Sequence, residues 1–237
     1  MIIKHVPNLF TLANLFCGCL ATVFLFENNI NVNTVTLIIC LGIFFDLLDG
    51  FLARKLNVQS KLGLELDSLA DLITSGLIPG IIIFRLFKNT SAAELSFISA
   101  EWIAYFAFFI TMASAYRLAN FNTKDSTTNY FIGLPVPANT IMILSLFLVS
   151  ELSANSFVVE LIINKYFLIS LVIISSFLMN SNLKFISFKF NNYLFNKENN
   201  SRYFLILSSI ILFVLLGYIS IPLIFLVYFV VSIFTLR

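Results

Sequence analysis

Charge is what this chain has least of. Only 11% of its 237 residues are Asp, Glu, Lys or Arg, against 59% hydrophobic, and the mean hydropathy is +0.98. A soluble globular domain carries charge on roughly a quarter of its residues, so a water-exposed fold is excluded. Histidine is almost missing as well. The single His5 lies beside the N-terminus, which excludes a histidine general base and a histidine-built zinc site. The three cysteines, Cys17, Cys19 and Cys40, fall inside apolar runs without C-x-x-C spacing. They are expected to pack, not to ligate metal or carry redox chemistry. No internal repeat is visible, and a formal net charge of +2 without a dense basic tract gives no reason to expect a nucleic-acid partner.

What is present in quantity is long apolar sequence. Runs near 8–26, 33–53, 64–86, 99–120, 136–152, 161–179, 203–217 and 220–236 approach the roughly 20 residues that cross a bilayer. The expected fold is therefore an all-α polytopic membrane protein with about eight transmembrane helices. Gly217 to Pro222 joins the last two short runs, so an interfacial hairpin beside six full spans is the alternative. The stretch 180–202 is polar and reads as a loop. The N-terminal apolar run is expected to be retained, since Glu27-Asn28-Asn29 ends it without a small-x-small cleavage site. With the N-terminus in the cytoplasm, eleven of the fourteen Lys and Arg residues fall on cytoplasmic segments or span ends, and only Arg85, Lys88 and Lys165 fall outside. That bias sets the orientation.

Four of the five aspartates, Asp46, Asp49, Asp67 and Asp71, fall within 26 residues at the facing ends of two apolar runs. A carboxylate near the bilayer centre costs about 2.5–3.5 kcal/mol on insertion scales, less near an interface, so four together point to function. On helices, 46, 49, 50 and 53 share one face, as do 63, 67 and 71, and a short turn between the helices would bring the carboxylates together. Gly50, Ala53 and Gly63 lie on those same faces, where small residues permit close helix approach or leave room for a flat ligand. Oxygen-only ligation without nearby His or Cys suits a hard cation, Mg²⁺ or Mn²⁺. Ion transporters also place acids in spans, but stretches such as 141–149 and 168–174 carry almost no polar side chains, which argues against a cation pathway.

Read in full, Asp46-Leu-Leu-Asp49-Gly50-Phe-Leu-Ala53-Arg54, then eight residues, then Gly63-Leu-Glu-Leu-Asp67-Ser-Leu-Ala-Asp71, the segment fills all eight fixed positions of a known signature. It resembles that of the CDP-alcohol phosphatidyltransferases. Further stretches resemble the bacterial and archaeal phosphatidylserine synthases within that family: Pro7-Asn8, Thr11 and Asn14 to Gly18; Arg117-Leu-Ala-Asn120-Phe121-Asn122; Tyr130 to Asn139; and Phe177 to Lys189. Asn120 stands where a basic residue is common, and Asn139 where Ala is frequent. The resemblance covers roughly residues 7–190, which suggests a core over 1–190 and a C-terminal transmembrane hairpin over 203–236.

The resemblance implies transfer of a phosphatidyl group from CDP-diacylglycerol to the hydroxyl of L-serine. Asp46, Asp49, Asp67 and Asp71 would hold one or two divalent cations, with Asp67 and Asp71 catalytic and Asp71 the base. Gly50, Ala53, Arg54 and Gly63 would receive the nucleotide and diphosphate. Arg117, Asn122 and Lys189 are candidates for the serine or phosphate groups, although Arg117 at a span edge also fits charge neutralisation or snorkelling. Gly133-Leu-Pro-Val-Pro137 reads either as part of acceptor recognition or simply as a rigid loop before a span. A homodimer in a bacterial or archaeal cytoplasmic membrane, with the site facing the cytoplasm, is expected. Glycerol 3-phosphate or an inositol phosphate is the alternative acceptor.

Overall fold

The computed structural model describes residues 5–27, 31–89, 100–123, 130–187 and 197–236. Apolar runs become helices because a bilayer leaves the backbone no other donor or acceptor. Helix α1 (Val6–Phe26) is followed by α2 (Val32–Lys55) and by a rod over Lys61–Asn89 made of α3 (Lys61–Asp71), a π-helical turn (Leu72–Leu77) and α4 (Ile78–Asn89). Then come α5 (Ala100–Ala104), a 3₁₀ turn (Tyr105–Phe108), α6 (Phe109–Thr123), α7 (Val136–Leu152), α8 (Ser156–Ile162), α9 (Lys165–Met179), α10 (Lys197–Leu216) and α11 (Ser220–Thr235). Among the described residues, five helical runs are long and apolar enough to cross a membrane, or six if α8 and α9, bent by 53° at their junction, form one span. The 17-residue α7 is shorter. The expected all-α polytopic architecture is the observed one.

The last of those runs, Asn199–Thr235, is not one straight helix. Gly217 at φ 58° turns the chain back, and Ser201 Oγ lies 2.9 Å from Thr235 Oγ1, so α10 and α11 are antiparallel. Two findings differ from the expected polar loop at 180–202. Lys184–Ile186 forms strand β2, paired antiparallel with β1 (Tyr130–Ile132), and α10 already begins at Lys197. Phe185 and Ile186 of β2 are buried, so a short apolar element sat inside sequence that is polar on average. Gly133, at φ 71°, donates its N–H to Leu183 O at 2.8 Å, and Leu134 donates to Leu178 O at 3.0 Å. The Gly-Leu-Pro-Val-Pro loop is thereby fastened to the end of α9.

The rod over 61–89 is the buried axis. Ile78, Ile81, Ile82, Ile83 and Leu86 of α4 are all at or below 3% exposure, while Leu9, Phe16, Val214 and Leu215 face outward, as lipid-facing positions do. Helix α1 buries one stripe, Pro7, Thr11, Asn14, Cys17, Gly18, Ala21 and Leu25. A Cβ on Gly18 would come within 2.7 Å of Thr74 Cγ2. Cys17 packs in this stripe, whereas Cys19 and Cys40 are exposed on their helices, and all three are free thiols. Arg85 Nη1 donates to Leu25 O at 3.2 Å and Glu27 O at 3.3 Å, closing the C-terminus of α1.

The turn that sets α2 against α3 is locally encoded. Asn57, at φ 54°, donates to Arg54 O, and Val58 donates to Ala53 O at 3.0 Å. This is a Schellman ending, with Asn in the left-handed position that Gly or Asn tolerates best. Ser60 then accepts from Gly63 N at 3.0 Å and starts α3. Asn57→Val should lower stability by about 1–2 kcal/mol through the left-handed penalty, while Asn57→Gly should be neutral within error. Thermal unfolding in detergent checks both.

Candidate active site

Asp46 and Asp49 project from α2 and Asp67 from α3, each offering a carboxylate oxygen within 4.8 Å of the others. Asp46 lies nine residues before the end of α2, about 13 Å along the helix at 1.5 Å per residue. The group is thus inside the bundle, not on the turn. Asp71 stands outside this set of three, although its carboxylate adjoins that of Asp46. Asp71 instead has a partner on α1: Asn14 Nδ2 donates to Asp71 Oδ1 at 3.3 Å. Asp49 and Asp71 are 5% and 8% exposed, and Oδ1 of Asp67 is buried without a hydrogen-bond partner among the described residues. An orphaned buried acceptor beside two further carboxylates fits a hard divalent cation.

Helix α1 supplies what the sequence reading did not assign. Thr11 Oγ1 donates to Asp49 Oδ2 at 2.5 Å, and Asn14 to Asp71. Both residues stand among the segments that carried the family resemblance, but neither was given a role at the site. The usable signal was two polar residues one turn apart on an otherwise apolar run, on the same stripe as Gly18 and Ala21.

The other candidates divide. At Gly50 a Cβ would meet only the guanidinium of Arg54, at 3.4 Å, so that face of α2 is open except for a flexible side chain. Gly63 faces Asn8 Oδ1 and Ser60 Oγ at 3.2 Å, and Ala53 is half-buried nearby on α2. Arg54 is exposed at the end of α2. Arg117, on α6, lies within electrostatic reach of Asp71 and of Tyr228 on α11, and its Nε is buried without a hydrogen-bond partner among the described residues. Asn122 donates to Ser68 Oγ at 2.9 Å, which ties the end of α6 to α3 between the two aspartates of that helix. Lys189 lies outside the described residues.

Residues 4–179 match the family model described as CDP-alcohol phosphatidyltransferase. The chain is 37% identical over 134 residues to the CDP-diacylglycerol–serine O-phosphatidyltransferase of Bacillus subtilis, covering 56% of this chain and 70% of that one. It is 29% identical over 189 residues to the enzyme of the same name from Helicobacter pylori strain 26695, covering 77% and 72% respectively. An archaetidylserine synthase of Methanothermobacter thermautotrophicus is 29% identical over 154 residues, or 62% of this chain and 61% of that one.

A side chain that orients a metal-binding carboxylate typically contributes 10–100-fold in metal affinity. Thr11→Val should therefore weaken Mn²⁺ binding by roughly that factor, and Thr11→Ser, which keeps the hydroxyl, should stay near wild type. Titration of the purified protein followed by the Mn²⁺ electron paramagnetic resonance signal reads this directly.

Proposed function

The chain belongs to the CDP-alcohol phosphatidyltransferase family, and from that membership we propose that it transfers the phosphatidyl group of CDP-diacylglycerol to the hydroxyl of L-serine, forming phosphatidylserine and CMP in phospholipid biosynthesis. The observation that carries the reading is the group Asp46, Asp49 and Asp67, with its orphaned Asp67 oxygen, set among buried helices beside Asp71. It is a multi-pass membrane protein, and the bias of basic residues supports a site that opens to the cytoplasm, where serine and nucleotide are found. The core over 1–190, the appended hairpin over 203–236, a bacterial or archaeal cytoplasmic membrane and a homodimer belong to the same reading.

Asp46, Asp49 and Asp67, with Asp71 at their edge, would hold one or two Mg²⁺ or Mn²⁺ ions. When bound, such a cation supplies neutralisation of the diphosphate charge. Gly50, Ala53 and Gly63 leave backbone open for the nucleotide. The Arg54 guanidinium, lying over Gly50, stabilises the charge that gathers on CMP. A serine hydroxyl is a weak nucleophile near neutral pH and needs a base. Asn14 holds one oxygen of Asp71, leaving the other to take the hydroxyl proton as the serine oxygen bonds to the lipid-bearing phosphorus. The bond from that phosphorus to the CMP oxygen breaks, and its electron pair leaves with CMP. Arg117 and Asn122 reach this region from α6 and serve the serine carboxylate, a planar anion suited to a guanidinium.

Purified protein given CDP-diacylglycerol, Mn²⁺ or Mg²⁺ and L-serine should release CMP, and chelator should abolish the release. Asp67→Asn should lose at least ~10²-fold in turnover while remaining inserted. Full activity in that variant, or preference for glycerol 3-phosphate over serine, overturns the reading. Arg117→Ala should raise the KM for serine by roughly 10–150-fold, the worth of a charged hydrogen bond in a partly desolvated site, and leave that for CDP-diacylglycerol little changed. Arg54→Ala should do the reverse.

A further inference from the structure

The rod that carries Asp67 and Asp71 is not a continuous α-helix. Between Leu72 and Leu77 it widens to a π-helical turn, closed by Ile78 N–H donating to Ile73 O, five residues back. The sequence contains the cause. Pro79 has no N–H to give the carbonyl four residues earlier, that of Ser75, and its ring crowds the same carbonyl. In a membrane interior a backbone acceptor released in this way must be met from elsewhere. Thr140 Oγ1 of α7, fully buried, donates to Ser75 O at 2.7 Å and shares its proton with Val136 O at 3.0 Å. Thr111 Oγ1 of α6 donates to the next carbonyl, Gly76 O, at 3.0 Å. Two glycines make room for this approach: a Cβ on Gly80 would come within 2.6 Å of Thr111 Oγ1, and one on Gly76 within 3.2 Å of Ser114 Cβ.

We propose that Thr140 and Thr111 are positioning residues that hold this π turn, and that the turn fixes the angle at which Asp67 and Asp71 face Asp46 and Asp49. A π turn contains one residue more than an α turn, and one residue is worth roughly 100° of rotation. On the far side of the turn α4 is locked in the core by Ile78, Ile82 and Ile83, each at 0% exposure. Collapse to α-helical bonding would therefore rotate α3, carrying Asp67 and Asp71 away from the aspartates of α2. The inference deepens the proposed function and rests on it for the meaning of the site. Its geometric content, that the threonines set the carboxylate arrangement, stands on metal binding alone.

Mn²⁺ binding to purified full-length protein, which needs no turnover, tests it beside CMP release. Thr140→Val and the double variant Thr140→Val/Thr111→Val should bind Mn²⁺ at least ~10-fold more weakly and lose at least ~10-fold in kcat, since small misplacements of reacting groups are costly. Their KM for serine should stay the same. Thr140→Ser should restore both values. Pro79→Ala removes the cause of the turn and improves local helix propensity, so it should weaken Mn²⁺ binding while its thermal midpoint is kept or raised. Wild-type Mn²⁺ affinity in Thr140→Val or in a folded Pro79→Ala overturns the inference, as does activity lost only in proportion to folded protein. If wild type binds Mn²⁺ but releases no CMP with serine, the proposed function fails instead, and the Mn²⁺ series still decides the role of the threonines.

Discussion

Like charges gathered inside an apolar bundle are the constraint on which the rest of this structure depends. With the oxygens of Asp46, Asp49 and Asp67 within 4.8 Å of one another, each ionised pair repels by about 3.5 kcal/mol at an effective dielectric near 20. A hydrogen bond to a charged group returns about 1.5–3 kcal/mol, so Thr11 on Asp49 and Asn14 on Asp71 cannot offset the mutual repulsion. Their contribution is direction. They fix where two carboxylates point, and the remaining charge is of the kind a divalent cation could balance.

The site and the core share one element. The rod from Lys61 to Asn89 begins with an exposed, Ser60-capped turn, carries two aspartates, widens through the π turn and ends in the deeply buried α4. Packing at its far end therefore bears on the geometry of its near end. Residues beyond the matched region are tied to the same body. Ser232 Oγ accepts from Ile186 N at 3.3 Å, Tyr228 donates to Ile186 O at 3.0 Å, and Arg202 Nε donates to Ser187 O at 2.8 Å. The α10–α11 hairpin thus meets the β ribbon rather than packing by apolar contact alone, and it brings Tyr228 within electrostatic reach of Arg117.

Much of this was legible in the sequence because hydropathy and a spaced aspartate signature are strong local signals. The helices from α1 to α7 fall where the apolar runs predict, and Asp46, Asp49 and Asp67 converge as their helical spacing requires. What was not legible depends on pairing between distant segments. The β1–β2 ribbon is three residues per strand, too short for a period of two to register. The 53° bend at α8–α9 follows from Asn164, which caps α9 by accepting from Tyr166 N at 2.9 Å and so starts a new helix inside an apolar stretch. The π turn was hidden for a related reason: Pro79 was visible, but its effect depends on Thr111 and Thr140, more than thirty residues away.

The arrangement also separates two tasks that the signature alone cannot divide. The eight signature positions all lie on α2 and α3, and in the proposed reaction they would hold cation and diphosphate. In the proposed reaction the acceptor would be read from α6 instead, where Arg117 lies within electrostatic reach of Asp71 and Asn122 donates to Ser68. Because Ser68 is the residue after Asp67, the 2.9 Å bond from Asn122 ties the end of α6 directly beside the aspartate group, and Thr111 ties the same helix to the rod further along. In that reading the acceptor could change through α6 while α2 and α3 keep their carboxylates, since Asn122 is held by Ser68 and not by a signature aspartate. With one amide N–H given to Ser68, Asn122 keeps a second N–H and its carbonyl oxygen, so in the proposed reaction it can still donate to the serine carboxylate. In that reading the planar guanidinium of Arg117 is the better match on α6 to the same carboxylate.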